Sequence, residues 1–259
     1  MRFFDIGANL SHSAFSQDLP QTIERARQAG VTRMVVTGTT VDESMAAIRI
    51  AEEFGLHATA GVHPHHAAEF TAETESELAG LLRDARVRAV GETGLDYYRD
   101  YAPRAAQLFA FERQVGLALA TGKPLFLHQR EAHDDLVAVL KPVRDRIARA
   151  VAHCFTGDKR ELFDYLDLDF HIGITGWICD ERRGEHLRAL VREIPADRLL
   201  LETDCPYLLP RTLAPKPAHR RNEPMYLKHI CEEVARDRGE APEVTAAAST
   251  AAARAFFGI

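Results

Sequence analysis

The chain has 259 residues, 46% hydrophobic and 27% charged, with glycine and proline dispersed, which excludes a low-complexity or fibrous polypeptide and leaves a globular protein with ample core. No apolar run approaches the ~18 residues that a membrane helix needs, so no membrane partner is expected. The net charge of −6 excludes attraction of nucleic acid by the molecule as a whole; a polyanion would have to be met by a local basic patch or a metal ion.

The first strand is expected over Arg2–Ile6, entered directly from Met1, so a cleaved secretory leader is not expected. Apolar runs of strand length recur at Arg33–Thr37, Ala58–Val62, Ala89–Glu92, Pro124–His128, Ala150–His153, His171–Thr175 and Leu199–Glu202. Between them apolar residues fall at helical spacing, as over Ala105–Leu119 (Leu108, Phe111, Val115, Leu119) and Leu187–Ile194. Gly30, Gly55 and Gly122 follow helical patterns, where a left-handed residue ends a helix. Strand–helix alternation with continuously apolar strands predicts a parallel sheet. Eight units favour a (β/α)8 TIM barrel over a doubly wound sheet, as one domain over residues 1–259, and no GxGxxG or GxxxxGK[ST] follows any strand. Cys205–Pro224, with prolines at 206, 210, 215, 217 and 224, is predicted to be a rigid loop of functional length, and the tail from Met225 returns to helix. The four cysteines form no CxxC pair, which predicts reduced thiols, a cytoplasmic protein and no cysteine-held zinc.

Polar residues of one kind recur at the C-terminal ends of the apolar runs. They are Asp5 with Gly7 and Asn9, His63 and His65, Glu92 between two glycines, His128, His153, and Glu202 with Asp204. In a (β/α)8 barrel such positions converge on one face. Imidazoles and carboxylates arriving from separate strands suit a divalent metal, and Glu92, His128, His153 and Asp204 are the candidate ligands. Asp204 is placed either to ligate or to take a proton from water. His57, His171, His186 and His229 read as hydrogen-bonded structural histidines, and Thr203 as packing or hydrogen bonding rather than catalysis. Cys154 beside His153 does not read as a nucleophile pair, because neighbours on a strand point to opposite faces. Arg130, Arg211, Lys216, Arg220 and Arg221 offer a basic rim suited to phosphate. Tyr97, Tyr98, Tyr101, Trp177 and Tyr207 lie where they can stack on bases.

The blocks Asp5–Asn9, Gly61–His65, Gly91–Asp96, His128–His133, His153–Gly157, Glu202–Tyr207 and Arg221–Pro224 together resemble the TatD family of metal-dependent DNases, in family order and across nearly the whole chain. The resemblance implies a (β/α)8 barrel of the amidohydrolase-like superfamily. It also implies Mg²⁺- or Mn²⁺-dependent hydrolysis of DNA from the 3′ end of single strands, with RNA and abasic sites as further substrates; the mixed His/carboxylate set suits Zn²⁺ as well. Carried over by position, Glu92, His128, His153 and Asp204 become metal and catalytic residues. His63 and His65 become a pair near the scissile phosphate, and Arg221 and Asn222 part of a substrate-binding loop beside Arg130. Many members of that family carry histidines where this chain has Gly7 and Asn9, so one firmly held ion is expected at Glu92, His128 and His153, with any second ion weak. A monomer with a nucleic-acid substrate is expected. The rival readings are a metal-dependent amide or ester hydrolase of small molecules, and a barrel that has lost catalysis and serves as a binding partner.

Overall fold

A computed structural model describes residues 1–259. The elements run β1 (Phe3–Ala8), α1 (Leu19–Gln28), β2 (Val31–Val36), α2 (Val41–Phe54), β3 (His57–Ala60), α3 (Ala72–Leu81), β4 (Val87–Asp96), α4 (Arg104–Thr121) and β5 (Leu125–Arg130). They continue with α5 (His133–Leu140), β6 (Ala150–Ala152), α6 (Lys159–Asp167), β7 (His171–Ile174), α7 (Glu185–Leu190), β8 (Leu199–Leu201), α8 (Leu227–Arg238) and α9 (Pro242–Phe257). The strands form one eight-stranded sheet in chain order, and Ala8 bridges Cys205 in parallel, so the first strand also neighbours the last. This is the (β/α)8 barrel that the alternation of patterns predicts. No helix is long and apolar enough to cross a membrane.

Two compact units make up the chain. One comprises residues 36–153 and 164–170, the other residues 1–35, 154–163 and 171–259. In the first, β3, β4, β5 and β6 pair in parallel. Local sequence explains its helices. The Thr40 hydroxyl accepts from the Glu43 amide at 3.1 Å and starts α2, which Gly55 ends in the left-handed conformation at φ 67°. Gly122 ends α4 in the same way, at φ 66°. Val87, Ala89, Val90, Leu125, Phe126 and Leu127 are buried on both faces of the sheet, as continuously apolar strands require.

In the second unit β7 pairs with β8 in parallel. Phe256 and Phe257 of α9 are buried, and Phe257 meets Phe4 of β1 with ring centroids 5.7 Å apart. The segment between β8 and Pro224 contains neither helix nor strand, as its proline density requires.

The largest departure from the sequence pattern is β4. It does not end at Glu92 but runs on to Asp96. The ladder to β5 shifts register between Val90 and Thr93, so Glu92 sits at an irregularity inside a strand. There its amide donates to the Gly38 carbonyl at 2.8 Å. Gly91 and Gly94 take φ of 146° and 142°, and a Cβ on either would overlap a carbonyl oxygen of β5, that of Phe126 or of His128.

Candidate metal centre

The site is built on the ends of β3, β4, β5 and β6. Glu92 is buried, and three imidazole nitrogens approach its Oε1: Nδ1 of His128 at 2.9 Å, Nε2 of His63 at 3.4 Å and Nε2 of His153 at 3.5 Å. The His153 ring lies on Phe126 at 4.7 Å, which fixes its plane. Burial alone would keep Glu92 protonated. The imidazoles of His153 and His63, with the hydrogen bond from His128, instead hold its carboxyl well below the usual carboxylate range. An ionised, buried carboxylate ringed by nitrogen donors is the donor set that a divalent cation needs, and ligand atoms of His63, Glu92 and His128 lie within 4.8 Å of one another.

The three histidines are not equivalent. Burial pushes His63 down to about 4, so its ring is neutral near pH 7. Its Nδ1 accepts the His65 amide at 3.1 Å, so the ring proton sits on Nε2 and points at Glu92. His63 is therefore a donor in this arrangement, whereas a metal ligand needs a lone pair at that nitrogen. Both nitrogens of His128 face carboxylates: Nδ1 faces Glu92, and Nε2 meets Asp96 Oδ2 at 3.2 Å. Burial lowers the His128 pKa, but the bonds to Asp96 and Glu92 outweigh it and raise the value above that of an ordinary histidine.

Asp96 is the residue the sequence reading missed. It is buried, and its Oδ2 also meets Nε2 of His65 at 2.8 Å. Burial is outweighed by these imidazole bonds, which hold the carboxyl far below its ordinary range. Its amide donates to Gln107 Oε1 at 2.8 Å, which ties the strand end to α4. A signal for it existed, because Glu92 and Asp96 are four residues apart on one strand and so share a face. The carboxylate–imidazole pair Asp96–His128 fixes the ring so that Nδ1 is presented toward Glu92. Asp96→Asn is expected to weaken Mn²⁺ affinity by roughly 10- to 100-fold in a calorimetric titration, because a neutral amide no longer supplies the negative charge that orients the two imidazoles.

The other predicted residues lie in the second unit. Asp204, just past β8, has a left-handed backbone at φ 53°, and its Oδ1 accepts from Asn9 Nδ2 at 2.9 Å. Asn9 thus orients Asp204 in this structure. Glu202 accepts from the Cys154 amide at 2.6 Å, which accounts for its burial after β8. Asp5 accepts from the Thr203 amide at 2.9 Å, from the Thr203 hydroxyl at 2.5 Å and from the Gly7 amide at 3.3 Å, which is a structural role for both Asp5 and Thr203.

The expected substrate loop is held by its own ion pairs. Arg221 binds Asp18 through both terminal nitrogens, at 2.8 and 2.7 Å, and also Glu223 at 2.7 Å. Arg25 joins the same cluster through Glu223 and Asp18. Asn222 is buried, donating to the Thr203 carbonyl at 2.8 Å and accepting from the Glu223 amide at 2.9 Å. These bonds hold the loop in place. Arg211 pairs with Glu181 at 2.8 Å, so the basic rim is partly neutralised by its own neighbours. Arg130 ends β5 with its guanidinium over the Tyr98 ring, 3.9 Å from the centroid.

Burial raises the Asp5 carboxyl to about 7, against the hydrogen bonds from Thr203 and Gly7. The folded protein therefore holds a proton there that the unfolded chain releases near 3.8. That contribution is present at acid pH and is lost as pH rises through the window from about 4 to 7. Asp5→Asn, neutral at every pH, should gain stability relative to the parent between pH 5 and pH 8. Urea titrations at the two values should show a difference beyond the ~0.5 kcal/mol of an ordinary surface change.

The TatD related DNase family model matches residues 4–258. A protein of Edwardsiella piscicida named 3′-5′ ssDNA/RNA exonuclease TatD is 54% identical over 236 residues, covering 90% of this chain and 91% of its own length. The protein of the same name from Erwinia amylovora is 48% identical over 258 residues, covering 99% of this chain and 100% of its own. Among solved structures, the TatD homologue YJJV of Escherichia coli k12 superposes with a TM-score of 0.91 at 29% identity, over 100% of this chain and 98% of that one. A sheet in barrel order, a buried carboxylate ringed by imidazoles and a family match over almost every residue agree: the chain belongs to the TatD related DNase family.

Proposed function

We propose that this protein is a metal-dependent exonuclease that removes nucleotides from the 3′ end of single-stranded DNA and RNA, as a cytoplasmic monomer. The observation that carries the reading is the buried Glu92 carboxylate, approached by nitrogens of His128, His63 and His153 within 3.5 Å. Glu92, His128 through Nδ1 and His153 through Nε2 would hold the cation, with Mg²⁺ or Mn²⁺ the natural choice for a phosphodiester substrate. A bound divalent ion there supplies Lewis acidity and lowers the pKa of its water.

The remaining work falls to the chain. His63, neutral and with its proton on Nε2, donates to a phosphoryl oxygen as negative charge develops. Asp204, oriented by Asn9, accepts the proton of the attacking water, or completes the ligand set. Asp96 orients His128 and His65. Arg130 contacts the substrate phosphate backbone, and the ion pairs of Arg221 with Asp18 and Glu223 set the shape of the proline-rich loop.

The test is a panel of 5′-labelled single-stranded DNA and RNA oligonucleotides run beside ester and amide substrates, with Mg²⁺, Mn²⁺ or EDTA. Single-nucleotide shortening from the 3′ end that EDTA abolishes is expected. Turnover of esters or amides with no digestion of any oligonucleotide would refute the reading.

A further inference from the structure

Eight large hydrophobic side chains are exposed over the whole chain, and two of them, Tyr98 and Tyr101, lie three residues apart in the turn that follows β4. Exposed apolar residues scattered singly are ordinary; a pair of half- to two-thirds-exposed rings beside a candidate catalytic centre is not. Tyr98 is 53% and Tyr101 66% exposed. Their positions are set from below. Asp96 accepts from the Arg99 amide at 2.8 Å, and the Ala102 carbonyl accepts from Gln107 Nε2 at 2.9 Å, so both ends of the turn are anchored.

The turn reaches the metal centre through rings. The Tyr101 centroid lies 4.8 Å from that of His65, which lies 4.2 Å from that of His63, whose Nε2 faces Glu92. Tyr98 carries the Arg130 guanidinium at 3.9 Å and that of Arg99 at 5.9 Å. Aromatic rings interleaved with arginines, on a molecule of net negative charge, form the local basic and apolar surface that a nucleic acid requires.

We propose that Tyr98 and Tyr101, flanked by Arg130 and Arg99, form a nucleobase-stacking platform that holds an unpaired base of the substrate next to the bond being cut. The proposal rests on the nuclease reading and deepens it by naming what selects single strands. The 3′-terminal base of a duplex is held by its pairing partner and by its neighbour in the stack, whereas an unpaired one is free to turn onto a tyrosine. Stacking is indifferent to base identity, so the platform accepts any of the bases, in DNA or RNA.

The experiment compares a single-stranded oligonucleotide bearing ordinary bases with one carrying abasic residues at its last two 3′ positions. The wild type, Tyr98→Ala/Tyr101→Ala and Tyr98→Phe/Tyr101→Phe are each assayed. A second probe is a phosphorothioate oligonucleotide with 2-aminopurine at the 3′ end, whose fluorescence is quenched on stacking. The wild type should favour the base-bearing strand by about tenfold in KM, the order that one base–aromatic stack supplies. The alanine pair should lose that preference and the quench, and the phenylalanine pair should keep both. Circular dichroism checks that the alanine pair remains folded. If the alanine pair degrades the strand with undiminished preference and quench, the platform is overturned and the nuclease assignment stands. If the wild type degrades no oligonucleotide with any divalent metal, the nuclease assignment fails and the platform falls with it.

Discussion

Glu92→Gln is expected to lower kcat/KM on single-stranded DNA by roughly 10³-fold, the scale lost when a group acting directly on transition-state charge is removed. It should also abolish Mn²⁺ binding in a calorimetric titration. The substitution preserves volume, so packing around Phe126 and His153 is not the variable. What changes is charge: a neutral amide is a poor ligand for a hard cation, and its NH2 would be turned toward nitrogens that now find a carboxylate oxygen at 2.9, 3.4 and 3.5 Å. Without the anion, His128 keeps only Asp96 as a charged partner. Loss of activity with Mn²⁺ affinity intact would show that Glu92 acts in some other way, and retention of both would remove it from the centre altogether.

Gly94→Ala is expected to destabilise the fold by at least about 3 kcal/mol and to remove activity at temperatures where the variant is still folded. Gly94 lies between Glu92 and Asp96 with φ 142°, a conformation that L residues avoid, and its missing Cβ is the space occupied by the His128 carbonyl oxygen. An alanine must push β4 away from β5. The same movement separates Glu92 and Asp96 from the ring of His128, so stability and chemistry fail together. Urea denaturation reads the first loss, and metal titration of the folded fraction reads the second. A variant with wild-type stability would contradict the role given to this glycine.

All eight strands are legible because their apolar runs are continuous, which is the signature of strands buried on both faces. His63, Glu92, His128 and His153 are legible for a related reason: each is a polar residue that ends or interrupts such a run. The extent of β4 is not, because Gly91 and Gly94 read as breakers, when here they are what lets the strand pass close to β5. That misreading concealed Asp96. The roles of Arg221 and Asn9 were beyond local pattern altogether, since Arg221 pairs with Asp18 across 203 positions and Asn9 meets Asp204 across 195. A loop arginine looks the same in sequence whether it awaits a phosphate or is held by a carboxylate.

The proposed chemistry requires the Glu92 carboxylate and its imidazoles to hold the cation that the reaction uses. Anomalous diffraction from crystals soaked in Mn²⁺ locates that cation. A single strong peak is predicted about 2.2 Å from Glu92, with Nδ1 of His128 and Nε2 of His153 at bonding distance and His63 outside it. An ion bound elsewhere on the molecule, with Glu92 still paired only to its histidines, would contradict it.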